Sequence, residues 1–198
     1  MEETAHLLES LGHVVEESYP AALDGPTGLG GPRGVIAARE LVARLDAWTA
    51  RTGREPGPDD LEPATWRMLT EGRRYSAADE EKAWHRLVTG VRPIPEWWAG
   101  GFDLLLTPAT NGIPPVVGEF SDLDPAEQDW RLAEAFGLYT VPYSFTGQPA
   151  VSLPATWVDG MPIGIQLVAG YGCEDVLIRV ASQLEEARPW EDRWPQIS

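Results

Sequence analysis

Cysteine, lysine and long apolar runs are what this 198-residue sequence has least of. Its single cysteine, Cys173, has no second thiol to pair with, which excludes an internal disulfide and fits a reducing compartment, the cytoplasm. No stretch approaches the roughly 20 apolar residues that a membrane-spanning helix needs. Met1 is followed by Glu2 and Glu3, the opposite of a basic leader start, so no secretory signal is expected. Positive charge is scarce too: 31 acidic residues stand against 15 basic ones, for a net charge of −16. Such a field repels phosphate backbones and anionic lipid, so neither nucleic acid nor membrane is an expected partner.

Catalytic groups are equally thin. Lys82 is the one lysine, and it sits in the charged run DEEKAW, where it reads as a solvated partner for Asp79. A lysine that acts as a neutral base near pH 7 has to be desolvated. None of the eight serines stands in a G-x-S-x-G elbow, and Ser152, in AVSLP, reads as a core strand residue. Cys173 precedes the last helix without a histidine near it in sequence, so it reads as a loop cysteine. His6 and His13 are separated by Gly12, and no H-E-x-x-H or paired-cysteine spacing occurs. No metal and no cofactor are expected.

What is present is apolar: 43% of the residues are hydrophobic and nine are Trp, enough for a sizeable core. Leu7, Leu8 and Leu11 repeat on a helical period, Gly12 stops the helix, and residues 13–17 (HVVEE) read as a strand. Residues 21–34 are rich in Gly and Pro and read as a loop. Leu41, Leu45 and Trp48 mark a helix face ending near Gly53, and residues 61–74 form another helix. Ser76 and Asp79 make a capping box for a longer helix carrying Trp84 and Val88, stopped by Pro93 and Pro95.

Residues 103–107 (DLLLT) are a continuous apolar run, the mark of a strand buried on both faces. Asp124 precedes a helix through Phe136, with Glu127 as its capping partner. Residues 150–153 and 163–168 read as strands joined around an Asp159–Gly160 turn. Residues 174–187 close the chain as an amphipathic helix through Leu177, Ala181 and Leu184. Helices and strands thus mix as in an α/β protein, and no inter-domain linker stands out. The tail, with Trp190, Trp194, Arg188 and Arg193, is expected to pack back on the last helix.

Two loops can carry ligand contacts. Thr107, Pro108 and Thr110 follow a buried strand, where side chains can face a crevice at its carboxyl end. Thr146, Gly147 and Gln148 (TGQPA) form a Gly/Pro-fixed loop beside another strand. Tyr143 and Phe145, with Ser144 between them, can line an apolar pocket next to it.

Three phrases carry a family resemblance: FDLLLTPAT at 102–110, PYSFTGQPAVSLPATWVDGMPIGIQLVAG at 142–170, and EDVLIRVASQLEEARPWEDRWP at 174–195. Together they closely resemble the C-terminal third of amidase-signature hydrolases, most of all the branch acting on 6-aminohexanoate-type linear or cyclic amides. Residues 33–100 carry no matching phrase. The resemblance implies a mixed β-sheet flanked by helices. It also implies acyl transfer, in which an activated Ser attacks the amide, backbone N–H groups hold the oxyanion and water releases the acid.

In that family the Ser–cis-Ser–Lys triad lies in the N-terminal half. This sequence has no GSSGG-like loop and no N-terminal lysine, so the whole chain, 1–198, is expected to be a C-terminal portion without catalytic residues. By the same resemblance, Thr107, Pro108, Thr110 and residues 143–148 wall the acyl pocket, although the family often has Asn where Ser144 stands. The expected partners are a small amide substrate in the complete enzyme and an N-terminal amidase half. The alternative is a non-catalytic interaction module derived from an amidase. An independent small hydrolase is disfavoured by the scarcity of Lys, Cys and His. An isolated portion is also expected to leave the strands at 103–107 and 163–168 without partners.

Overall fold

The structure is a computed structural model that describes residues 1–24, 30–121, 123 and 125–194. Two compact units emerge: Met1–Pro20 together with the residues from Ile94 onward, and Ala21–Pro93.

The first unit opens with α1 (Glu2–Ser10). Gly12, at φ +93°, lets its own N–H reach Glu9 O (3.0 Å), and the next N–H reaches Leu8 O (3.1 Å). The strand expected at 13–17 does not form. Val15 packs on the core while Val14 is 87% exposed, so side-chain alternation survives, but no described strand pairs with this segment. A strand needs a ladder partner, and sequence alternation cannot supply one.

Three strands make the sheet: β1 (Leu104–Pro108), β2 (Ala150–Val158) and β3 (Met161–Ala169), in the order β1-β3-β2 with both pairings antiparallel. Asp159 (φ 51°) and Gly160 (φ 79°) turn the β2–β3 hairpin, as the Asp–Gly pair demands. Leu153, Ile165, Leu167 and Ala169 pack from one sheet face onto Leu8 of α1 and onto Leu177, Val180 and Leu184 of α7 (Glu174–Ala187). Each such side chain contributes about 1.5–3 kcal/mol by leaving water. Trp190 of the tail packs on the same core, and the Arg193 guanidinium lies 4.0 Å over the Trp157 ring.

Three strand expectations change. The segment 163–168 is the central strand, paired on both sides, so the unpaired edges belong to β1 and β2. Only Leu105 of β1 is fully buried, because β1 stands at the sheet edge. Ser152 is exposed, since its side chain points away from the α7 core. The remaining helices of this unit are α5 (Pro125–Gly137) and α6 (Val141–Thr146). Asp124, the expected cap of α5, lies outside the described residues.

The second unit is helical: α2 (Gly30–Thr52), α3 (Pro63–Gly72) and α4 (Ala77–Val91). The loop expected over 21–34 is shorter, because α2 already begins at Gly30; residues 25–29 lie outside the described set. Pro32 sits in the first turn, where its missing N–H has no intrahelical acceptor to lose. The Ser76–Asp79 capping box forms as expected, with Asp79 N–H 3.2 Å from Ser76 Oγ. Trp84 and Val88 are exposed instead of buried; Ala83, Leu87 and Val91 form the inner stripe at i, i+4, i+8. α3 meets α2 at Gly72, where an added Cβ would stand 2.4 Å from the Ala38 carbonyl oxygen.

Candidate functional site

The sheet face away from α7 gathers the first group of candidate residues. Antiparallel alternation puts Leu105 and Thr107 of β1 there, beside Val168 and Gln166 of β3. Gln166 is 4% exposed, and its amide nitrogen donates to Thr107 Oγ1 (3.0 Å) and to the Tyr139 carbonyl (2.9 Å). Thr107 in turn donates to Pro108 O at 2.9 Å. One amide thereby holds the end of β1 and the segment leading into α6 against the central strand. Ala109 continues the ladder through its N–H to Gly164 O (3.0 Å). Thr110 belongs to the loop beyond, where its hydroxyl donates to Gly112 O (3.0 Å) and stays local.

The second group lies on α6 and the turn after it, a helix that the sequence reading missed. Pro142 at its first turn and Gly147, at φ +76°, bracket six residues, too few for a periodic signal. Tyr143 is buried, and burial pushes its phenol up to about 12. Its hydroxyl has no described partner, and neither does the buried Trp98 indole N–H; the two rings meet edge to face at 6.4 Å. Ser144 is exposed and its hydroxyl returns to Thr140 O (3.3 Å), while Phe145 is half-buried.

Thr146, Gly147 and Gln148 form a closed unit. The Thr146 hydroxyl donates to Gln148 Oε1 (3.1 Å), and Gln148 Nε2 donates to Ala169 O (3.0 Å) at the end of β3. Tyr171 hydroxyl donates to the Thr146 carbonyl. Gln148 is therefore buried and fully engaged, so this loop is rigid where it meets β3.

Gln166 and Trp98 are the residues that sequence reasoning passed over. A single amide inside IGIQLVA was the available signal, because a buried polar group has to find partners. Trp98 carried no local signal. No nucleophile–base pair accompanies these residues: Lys82 is exposed on α4, and no described serine hydroxyl is hydrogen-bonded to it or to a histidine. Ser76, by hydroxyl and backbone N–H, holds the Asp79 carboxyl below its usual range, with Lys82 adding attraction. Cys173 is a free, partly exposed thiol at the N-cap of α7. Among the described residues no three His, Cys, Asp or Glu side chains come together as metal ligands, and no helix is long and apolar enough to cross a membrane.

Comparison with known proteins extends the match over the stretch that carried no recognisable phrase. The Amidase family model matches residues 1–178. The 6-aminohexanoate-cyclic-dimer hydrolase of Paenarthrobacter ureafaciens is 35% identical over 205 residues, covering 98% of this chain and 40% of that protein. Its counterpart from Pseudomonas sp. (strain NK87) is 34% identical, with 98% and 40% covered. A solved structure of 6-aminohexanoate cyclic dimer hydrolase superposes with a TM-score of 0.87 at 32% identity, covering 98% of this chain and 42% of that one. The chain spans about 40% of the length of these relatives and corresponds to the C-terminal part of the amidase-signature fold. On sequence and structure alike, it belongs to the amidase family.

Proposed function

We propose that these residues form the non-catalytic part of a carboxamide hydrolase of the Ser–cis-Ser–Lys type, acting on linear or cyclic amides of the 6-aminohexanoate kind. The observation that carries this reading is the agreement with the cyclic-dimer hydrolases along 98% of the chain. In this reading the rest of the amidase fold supplies nucleophile, base and oxyanion donors. This chain supplies the sheet and one wall of the acyl pocket, built from Thr107, Pro108, Thr110 and residues 143–148. Gln166 and Gln148 fix that wall by their hydrogen bonds, since a pocket contributes to rate only when its geometry is held. The complete enzyme works in the cytoplasm and uses no metal or cofactor.

The test is an amide hydrolysis assay on 6-aminohexanoate cyclic dimer and linear oligomers. The 198-residue chain alone leaves them intact. Added to the N-terminal part of the Paenarthrobacter ureafaciens hydrolase, it restores release of free amine. Turnover by the pure chain alone refutes the reading, and a tight complex without hydrolysis favours a non-catalytic interaction module instead.

A further inference from the structure

The two sheet edges are built differently. In β2, residues 149, 151 and 153 point their backbone groups at β3, as the Ala169 N–H to Pro149 O bond (3.0 Å) shows, so 150, 152 and 154 point outward. That edge is blunted: Pro154 has no N–H, a register shift interrupts the ladder between Pro154 and Thr156, and Arg188 donates to the Ala155 carbonyl (3.2 Å). The outward side chains there, Ala150 and Ser152, are small or polar.

In β1 the Ala109–Gly164 bond fixes 105, 107 and 109 as the positions facing β3, so Leu104 and Leu106 direct N–H and C=O outward. Neither leucine has a described hydrogen-bond partner on that side, and both side chains are only half-buried against the core. The chain leaving β1 then presents Ile113, Val116 and Val117 to solvent, the last fully exposed. This is an ordered surface, because the Glu119 carboxylate accepts from Val116 N–H (2.9 Å) and Gly118 turns at φ +88°. Unpaired backbone and contiguous exposed apolar side chains together mark a surface that some other element covers.

We infer that the outer edge of β1, continued by the valine turn at 116–117, is the docking surface for the part of the amidase fold that lies outside these 198 residues, which adds a strand to β1. This rests on the functional reading above and specifies where the assembly joins. The occupant follows from length and charge. Relatives covered to only 40% leave about three-fifths of the family's length to be placed. A second copy would bring a further −16 to the same edge, which like-charge repulsion opposes.

The test uses the full chain and a tagged N-terminal part of the Paenarthrobacter ureafaciens hydrolase in a titration read by fluorescence anisotropy. Leu106→Pro removes only an outward N–H and leaves the β1–β3 ladder its donors. Val117→Asp changes a fully exposed side chain, so a folding failure cannot mimic its effect. Each is expected to weaken binding at least tenfold, whereas Ser152→Pro, the matching change on the β2 edge, leaves it within twofold. The inference is overturned if Val117→Asp binds like the parent, if Ser152→Pro weakens binding as much as Leu106→Pro, or if the parent chain does not bind. Hydrolysis assayed on the same samples separates the two claims. Binding at this edge without turnover sinks the functional reading alone; turnover unaffected by both β1-side variants sinks the edge alone.

Discussion

Replacing Gln166 by leucine isolates the contact that ties the candidate pocket wall to the central strand. The change keeps side-chain size but deletes two donated hydrogen bonds, at 3.0 and 2.9 Å, in a residue 4% exposed. Two such bonds contribute about 0.5–1.5 kcal/mol each, and a carbonyl stranded without a partner costs about 1–3 kcal/mol. Leucine's apolar burial offsets perhaps a third of that loss, roughly 1 kcal/mol on area grounds. The expected net destabilisation is about 2 kcal/mol, which for a chain of this size lowers the melting midpoint by roughly 4–8 °C. Urea unfolding followed by tryptophan fluorescence measures it.

Gln166→Glu adds a check that packing alone cannot imitate. Protonated, the carboxyl donates one bond to Tyr139 O; ionised, it faces that carbonyl as a buried charge. Its folded pKa therefore rises above the unfolded value of about 4.3. The variant then keeps its stability below about pH 4 and loses it as pH climbs from there through the folded value. A Gln166→Leu chain as stable as its parent, or a Gln166→Glu chain with a flat profile over that window, refutes the account of how the wall is held.

Other expectations follow from single contacts. Gly72→Ala destabilises the helical unit by about 1–3 kcal/mol, because its Cβ would meet the Ala38 carbonyl at 2.4 Å, while Gly34→Ala in open helix stabilises by about 0.5–1 kcal/mol; opposite signs in urea titrations are the check. Tyr143→Phe deletes a buried hydroxyl without a partner, so stability at pH 7 holds or improves by up to about 1 kcal/mol. The parent, with its phenol pushed to about 12, loses stability as pH rises from about 10 toward 12, and the variant loses less; melts at pH 7, 10 and 11 decide it. Asp79, held low first by the Ser76 hydroxyl, supports α4 above about pH 3.8, and that support fades as pH falls through the lower folded value. Circular dichroism between pH 5 and 2 should show a flatter loss for Ser76→Ala.

Elements with chemistry of their own were legible in the sequence. The last helix, the Asp159–Gly160 hairpin, the Ser76–Asp79 cap and the Gly12 stop each rest on residues within a few positions of one another. So does the family resemblance, whose phrases coincide with β1, the α6–β2 turn, β3 and α7. Features decided by distant partners were not legible. Residues 13–17 have the alternation of a strand and no strand beside them. Ser152 and Val88 were read as inward-facing, yet a one-position difference in register or rotation carries each to the outer face. α6 is too short to announce itself.

By itself, then, the sequence determined where turns, caps and apolar runs fall, that the usual catalytic and metal-binding groupings are missing, and which family these residues resemble. Only tertiary structure decided that 163–168 is the central strand, that Gln166 reaches Thr107 and Tyr139, and that β1 keeps an open edge. The reason is physical: local order follows from dihedral preference and neighbouring side chains. Pairing, burial and hydrogen-bond closure depend on residues 27 to 59 positions away, which only the folded chain brings within 3 Å.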